Sequence, residues 1–237
     1  MSSSRVGQLA LVILFTGTFA NVTTPLANAQ GSVSGEVSLL DKRGAPKGDV
    51  QTGVVYLEPE SPRALNVSSS DLLSGTIVMR GREFIPHVKP VLAGGSVQFP
   101  NRDPFSHNVF SNGSLGAFDL GLYRRGSSRS AKFARVGVYP VYCNIHSKMV
   151  SFVVAVPSPW FAQPAANGRY VIPRVPAGRY MLHTWHERAG KEVVQEIEVP
   201  PTGLSGLHSA LDVTAFLDSP HLNKYGLPYT ATRADRY

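Results

Sequence analysis

Residues 136–156 read VGVYPVYCNIHSKMVSFVVAV. Val136 to Tyr142 reads as a strand leading into a loop, and Phe152 to Val156, almost wholly apolar, as a core strand leaving it. The loop between them, Cys143-Asn144-Ile145-His146-Ser147-Lys148-Met149, repeats a metal-ligating type every third residue: Cys143, His146, Met149. Cys143 is the chain's only cysteine. Another histidine stands 36 positions upstream, in Phe105-Ser106-His107-Asn108-Val109.

Working outward, helical periodicity is nearly absent. Short β-branched and aromatic runs are broken by Gly, Pro, Asn and Ser, the pattern of an all-β sandwich or barrel. Val33 to Leu40 and Val54 to Leu57 read as strands, followed by a Pro/Ser-rich linker or long loop over 59–75. Thr76 to Met79, Ser96 to Phe99 and Asn108 to Phe110 are further strands. Phe84 to Val88 and Val91-Leu92 flank Pro90 and suit an edge strand, because proline cannot donate to a ladder. After Pro157-Ser158-Pro159 come strands at Tyr170 to Ile172, Tyr180 to Trp185 and Val193 to Val199, with turns at Asn167-Gly168 and Val175 to Gly178. From Leu217 the pattern weakens, and Pro220, Gly226 and Pro228 suggest a tail that lies on the surface or docks loosely.

Residues 1–29 have the form of a secretory signal: Arg5, an apolar run from Leu9 to Phe19, and Ala27-Asn28-Ala29 before the expected mature start at Gln30. The alternative is a retained N-terminal anchor. No later run approaches the apolar length of a membrane helix, so no integral membrane segment is expected after cleavage. Export, to the periplasm or beyond, leaves one thiol in an oxidising compartment. Its explanation is an intermolecular disulfide, a reactive nucleophile or a metal ligand. The His and Met spacing favours the ligand.

The net charge is +7. Arg124, Arg125, Arg129, Lys132 and Arg135 fall in a stretch without Asp or Glu. This is either a solvated loop or a docking patch for an acidic partner. Export and the lack of a recognised motif argue against nucleic acid. No Gly-x-Ser-x-Gly elbow, phosphate loop or dinucleotide fingerprint is present. A Cys/His hydrolase built on Cys143 and His146 lacks an orienting acid and an oxyanion hole. An enzyme is therefore not expected.

Soft Cu(I) prefers thiolate and thioether, whereas Cu(II) accepts imidazole. A site serving both needs both kinds of ligand. The expected site is one type 1 copper ion held by His107, Cys143 and His146 in a trigonal plane, with Met149 as weak axial ligand. Asn108 is expected to bridge the two ligand loops through its side chain and to reach the Cys143 sulfur through its amide, with Asn101 and Asp103 pinning the loop. His183 and His186 bracket Trp185 on opposite strand faces, so they are not expected to chelate one metal unless the strand ends at Trp185. Trp160 and Phe161 are expected to pack two domains together.

Residues 76–156 resemble a cupredoxin of the plastocyanin and amicyanin type. Cys143-x-x-His146-x-x-Met149 has the compact spacing of the amicyanin loop, and Phe99-Pro100-Asn101-x-Asp103 before His107-Asn108-Val109 looks like that family's upstream ligand strand. The long basic stretch from Ser111 to Arg135 departs from it. The resemblance implies a Greek-key β-sandwich and a copper redox role through His107, Cys143, His146 and Met149. In such a protein the loop histidine, here His146, lies nearest solvent; the basic stretch would draw an acidic redox partner, such as a c-type cytochrome or an acidic dehydrogenase.

The flanks resemble a carboxypeptidase-regulatory, transthyretin-like domain. Gly31 to Val37, Gly44-Ala45-Pro46 and Val54 to Leu57 look like its opening, and Gly168 to Tyr180 like its middle. The combination is similar to exported proteins termed methylamine-utilisation-like. The implied organisation is a signal at 1–29, the first part of the flanking sandwich at 30–60 and a linker at 61–75. The cupredoxin domain follows at 76–157, the rest of the flanking sandwich at 158–202 and a tail at 203–237. The alternative function is a copper chaperone or store whose metal is passed on and never cycled.

Overall fold

The computed structural model describes residues 30–41, 49–61, 75–217 and 219–229. The expected signal peptide, the Gly44-Ala45-Pro46 stretch of the flanking resemblance and nearly all of the 61–75 linker lie outside the described residues.

The chain is nearly all β. In order, the strands are β1 (Gln30–Leu40), β2 (Val54–Pro59), β3 (Gly75–Thr76), β4 (Val78–Arg80), β5 (Glu83–Ile85), β6 (Val88–Leu92), β7 (Ser96–Pro100), β8 (His107–Ser111), β9 (Phe118–Tyr123), β10 (Ser128–Lys132), β11 (Gly137–Tyr142), β12 (Val150–Val156), β13 (Phe161–Ala162), β14 (Arg169–Pro176), β15 (Gly178–Trp185), β16 (Val193–Val199) and β17 (Leu204–Asp212).

They build two sandwiches. In one, the sheet β6-β12-β11-β8-β9 faces the sheet β10-β7-β3 and the hairpin β4-β5. Its core holds Ile77, Phe84, Phe99, Val109, Phe133 and Val153, together with Cys143 and Met149. In the other, β14-β1-β17 faces β13-β2-β15-β16 around Val33, Leu57, Ile172, Tyr180 and Leu211. Strands β3–β12 thus form one core, interposed in sequence between strands of the other.

The apolar run of β12 has a physical reason. Successive side chains of a strand point to opposite faces. Val153 and Ala155 enter the first core, whereas Val154 and Val156 meet Val54, Tyr56 and Val88 in a third cluster with Phe152, Phe161 and Trp185 beside it. That cluster joins the sandwiches, so β12 is apolar on both sides. Phe161 belongs to this joint, as expected. Trp160 instead packs on the second core, edge-on to Tyr180 at 5.7 Å. A part-buried pair crosses the same joint, with His87 Nε2 2.7 Å from Glu187 Oε1.

Pro90 lies on β6, an edge strand pairing parallel to β12, as its chemistry requires. One expectation is corrected. Residues 203–212, assigned to the tail, include β17, which pairs parallel to β1 from Val33↔Leu204 to Leu40↔Asp212. Only Ser209 and Leu211 of β17 are buried, so its own apolar signal is weak and pairing with β1 decides its state. Among the described residues, no helix is long and apolar enough to cross a membrane.

Candidate metal centre

His107 opens β8, whose five residues are all buried. By strand alternation His107 shares a face with Val109, which lies in the first core. Cys143 follows β11 directly and belongs to the same core. The loop closes on itself: the Met149 amide donates to the His146 carbonyl at 3.1 Å, and the Cys143 amide to the Met149 carbonyl at 3.2 Å. This turn carries the His146 ring back over Cys143. His107 Nδ1 stands 3.7 Å from Cys143 Sγ, and His146 Nδ1 stands 3.6 Å from it. The ligand atoms of His107, Cys143 and His146 all lie within 4.8 Å of one another. The imidazoles are 4.9 Å apart between centroids.

Cys143 is fully buried, and burial pushes its thiol pKa up. Opposing this, the backbone amides of Ile145, Asn108 and His146 point at the sulfur and favour the thiolate. A buried sulfur with three amide donors and two imidazole nitrogens around it is arranged to carry negative charge against a cation. The set fits a metal that takes sulfur and imidazole together. Among the described residues no carboxylate joins the cluster; Asp103 meets His107 at Nε2, on the opposite ring edge.

That Asp103 contact orders the site. Asp103 Oδ2 lies 2.8 Å from His107 Nε2, with both side chains buried. The carboxylate also accepts the Gly81 amide at 2.6 Å and the Arg82 amide at 2.9 Å. Those amides belong to the two-residue turn of β4-β5, where both φ values are positive, 66° and 63°. Such turns match the twist of a hairpin, and this one aims two donors at one carboxylate. Burial raises the Asp103 pKa, but the Arg82 amide, His107 and the Gly81 amide outweigh it and hold it low. For His107 burial dominates and lowers the pKa despite Asp103. The result is a neutral imidazole with Nε2–H given to the carboxylate and Nδ1 free for a metal. Asn101, also buried, fixes the loop: Nδ2 donates to the Phe105 and Tyr123 carbonyls, and Oδ1 accepts the Asp103 amide. Asn101 and Asp103 therefore pin the loop as expected.

The Asn108 expectation is half met. Its amide reaches Cys143 Sγ, but its side chain does not span the ligand loops. Nδ2 donates to Asp119 Oδ1 at 2.6 Å, and the link runs onward. Asp119 pairs with Lys224 Nζ at 2.7 Å, and the Lys224 amide donates to Asn144 Oδ1 at 2.9 Å. Tyr229 Oη donates to the Cys143 carbonyl at 2.6 Å, and the His221 ring stacks on Tyr142 at 4.2 Å. Residues 219–229 thus fasten the ligand loop from the outer face of β8 and β11. The sequence allows a tail that lies on the surface or docks loosely, and it docks; its anchor points, 79 to 105 positions from their partners, are not legible in the sequence.

Met149 is 1% exposed in the core that holds Cys143, and its backbone closes the loop. His183 and His186 do not converge. His183 lies between Glu58 and Glu192, each at 3.2 Å, and stacks on Tyr56, whereas buried His186 contacts Thr52 Oγ1 at 2.9 Å.

No protein-family model matches the sequence, and no curated protein matches it. Among solved structures, the chain is similar to a purple cupredoxin from Nitrosopumilus maritimus, 21% identical over 35% of this chain and 100% of that one, with a TM-score of 0.33. It is similar to amicyanin from Paracoccus versutus, 19% identical over 43% and 97%, with a TM-score of 0.34. A point variant of amicyanin in its Cu(I) form gives 21% over 43% and 98%, also at 0.34.

Proposed function

We propose that this chain is an exported type 1 copper protein that carries single electrons and is not an enzyme. The observation that supports it is the buried Cys143 sulfur, met by His107 and His146 nitrogens at 3.7 and 3.6 Å and by backbone amides. When bound, copper would supply one-electron cycling between Cu(I) and Cu(II). A structural zinc site uses four strong ligands, whereas among the described residues this cluster offers three, His107, Cys143 and His146, and the Met149 thioether would be a weaker fourth donor.

The chain's own residues do the rest. Asp103 keeps His107 in one tautomer and raises its basicity. The amides of Asn108, Ile145 and His146 temper the thiolate. Asn101 and the 219–229 segment hold both ligand loops, so little needs to move between oxidation states. His146 stays partly exposed beside Phe105 and is the proposed point of electron exit. The proposed partner is an acidic redox protein, a c-type cytochrome or a dehydrogenase.

A chaperone or store shares the ligands and differs in behaviour. Voltammetry of the copper-loaded protein decides: a reversible one-electron wave with copper retained is expected. Release of copper on each change of oxidation state would assign the chain to metal delivery instead. Met149→Leu is expected to retain copper and raise the potential, since a thioether donor to the oxidised ion is lost. An unchanged potential places Met149 in the core only.

A further inference from the structure

A pocket of about 480 Å³ lies beside the ligand end of the first sandwich, lined by Val78, Arg80, Arg102, Arg125 and Gly126. Three segments meet there through backbone contacts. Met79 bridges Asn101, and the Arg102 amide donates to the Met79 carbonyl at 2.9 Å. The Gly126 amide donates to the Asn101 carbonyl at 2.9 Å, and the Asn101 amide to Ser127 at 2.9 Å. The spacing of the three arginines is therefore built into the fold. All three are exposed, and none takes part in an ion pair among the described residues.

The basic stretch seen in sequence divides at this point. Arg129 folds onto the Leu120 carbonyl, and Arg135 onto the carbonyls of Ser114 and Leu115. Both guanidinium groups are thus engaged by their own chain. Arg125 instead joins Arg80 and Arg102, which composition did not single out.

The pocket is close to the ligand cluster in covalent terms. Arg102 sits between Asn101, which fixes the loop, and Asp103, which holds His107. Arg82 lies over the Phe105 ring at 5.3 Å, and Phe105 touches His107 and His146 at 5.2 and 5.6 Å between centroids. The opposite flank, at Tyr142 and Asn144, is covered by residues 219–229. On the arginine side, Arg80, Arg102 and Arg125 are exposed among the described residues.

We propose that Arg80, Arg102 and Arg125 form a carboxylate-holding pocket that seats an acidic segment of the electron-exchanging protein. Guanidinium groups match carboxylates in planar, bidentate geometry. Three cations on one wall also draw an anionic surface in and speed encounter. The pocket stands on its own geometry, and its role in electron exchange rests on the copper reading.

Two measurements separate these. The first uses metal-free protein and a glutamate-rich peptide, followed by amide NMR shifts. Binding should move the signals of residues 80, 102, 125 and 126, and should weaken at least about tenfold in the triple variant Arg80→Gln, Arg102→Gln, Arg125→Gln. The second follows oxidation of the reduced, copper-loaded protein by hexacyanoferrate(III), which accepts one electron to become hexacyanoferrate(II). At low salt the triple variant should react about tenfold more slowly, within the range of electrostatic steering. Its rate with the cation tris(phenanthroline)cobalt(III) should not fall. Replacing Arg169, Arg174 and Lys191 with Gln changes net charge equally and should leave both rates near wild type. Peptide binding unaltered by the triple variant, or binding of inorganic phosphate but not of the peptide, overturns the pocket. Failure to reduce either oxidant removes the electron-carrier reading and leaves the pocket to the NMR result.

Discussion

Cys143→Ser is expected to abolish the visible charge-transfer band of the copper-loaded protein completely. The band requires a thiolate bound to the ion, and a serine hydroxyl neither ionises near neutral pH nor binds soft Cu(I). The sandwich should survive the change. Serine has nearly the same shape, and the amides of Ile145, Asn108 and His146 that face the sulfur remain to pair with its oxygen. Buried polar groups with partners cost little. The check is the absorption spectrum together with a thermal melt of the metal-free protein. A variant that folds and keeps the band would show that Cys143 is not the ligand.

The second large effect is on potential. Asp103→Asn keeps the shape of the side chain but removes the charge that faces His107 Nε2 at 2.8 Å. Losing an outer partner of a ligating histidine typically costs 10–100-fold in metal affinity, of which we expect about tenfold to fall selectively on the more highly charged oxidised ion. The potential should therefore rise, by about 59 mV for each tenfold of selective loss in a one-electron couple. The visible band should persist, because all proposed ligands are intact. Direct electrochemistry on both proteins measures this, and an unchanged potential would reduce Asp103 to a structural role.

The parts of the centre that were legible in sequence are local. Cys143, His146 and Met149 share one loop, and the flanking β11 and β12 declare themselves by apolar residues on adjacent positions. The Asn101-x-Asp103 and His107-Asn108 stretches also lie in one loop and strand, so the pinning of the loop and the Asn108 amide contact to sulfur could be anticipated, whereas the Asn108 side-chain bond to Asp119 could not. What escaped is non-local. Asp119, Lys224, His221 and Tyr229 come together only because β9 and the tail meet at one face of the sheet. No periodicity links positions 105 residues apart. Arg80 and Arg125 escaped for the same reason, since backbone pairing between separate segments places them together. Composition could not show that the Arg129 and Arg135 guanidinium groups turn to nearby carbonyls. The fold followed the same division. Short apolar, β-branched and aromatic runs announced many strands, whereas β9 and β10, in the stretch read as a loop, and β17, half polar and mostly exposed, are strands because β8, β7 and β1 offer them edges.

The central claim is that His107, Cys143 and His146 hold one copper ion through a thiolate. The most direct measurement is a titration of reduced, metal-free protein with Cu(II), followed by visible absorption. An intense thiolate-to-copper band that grows linearly and stops at one equivalent is the predicted result. Absence of the band, with the Cys143 thiol still titratable after copper addition, would contradict it.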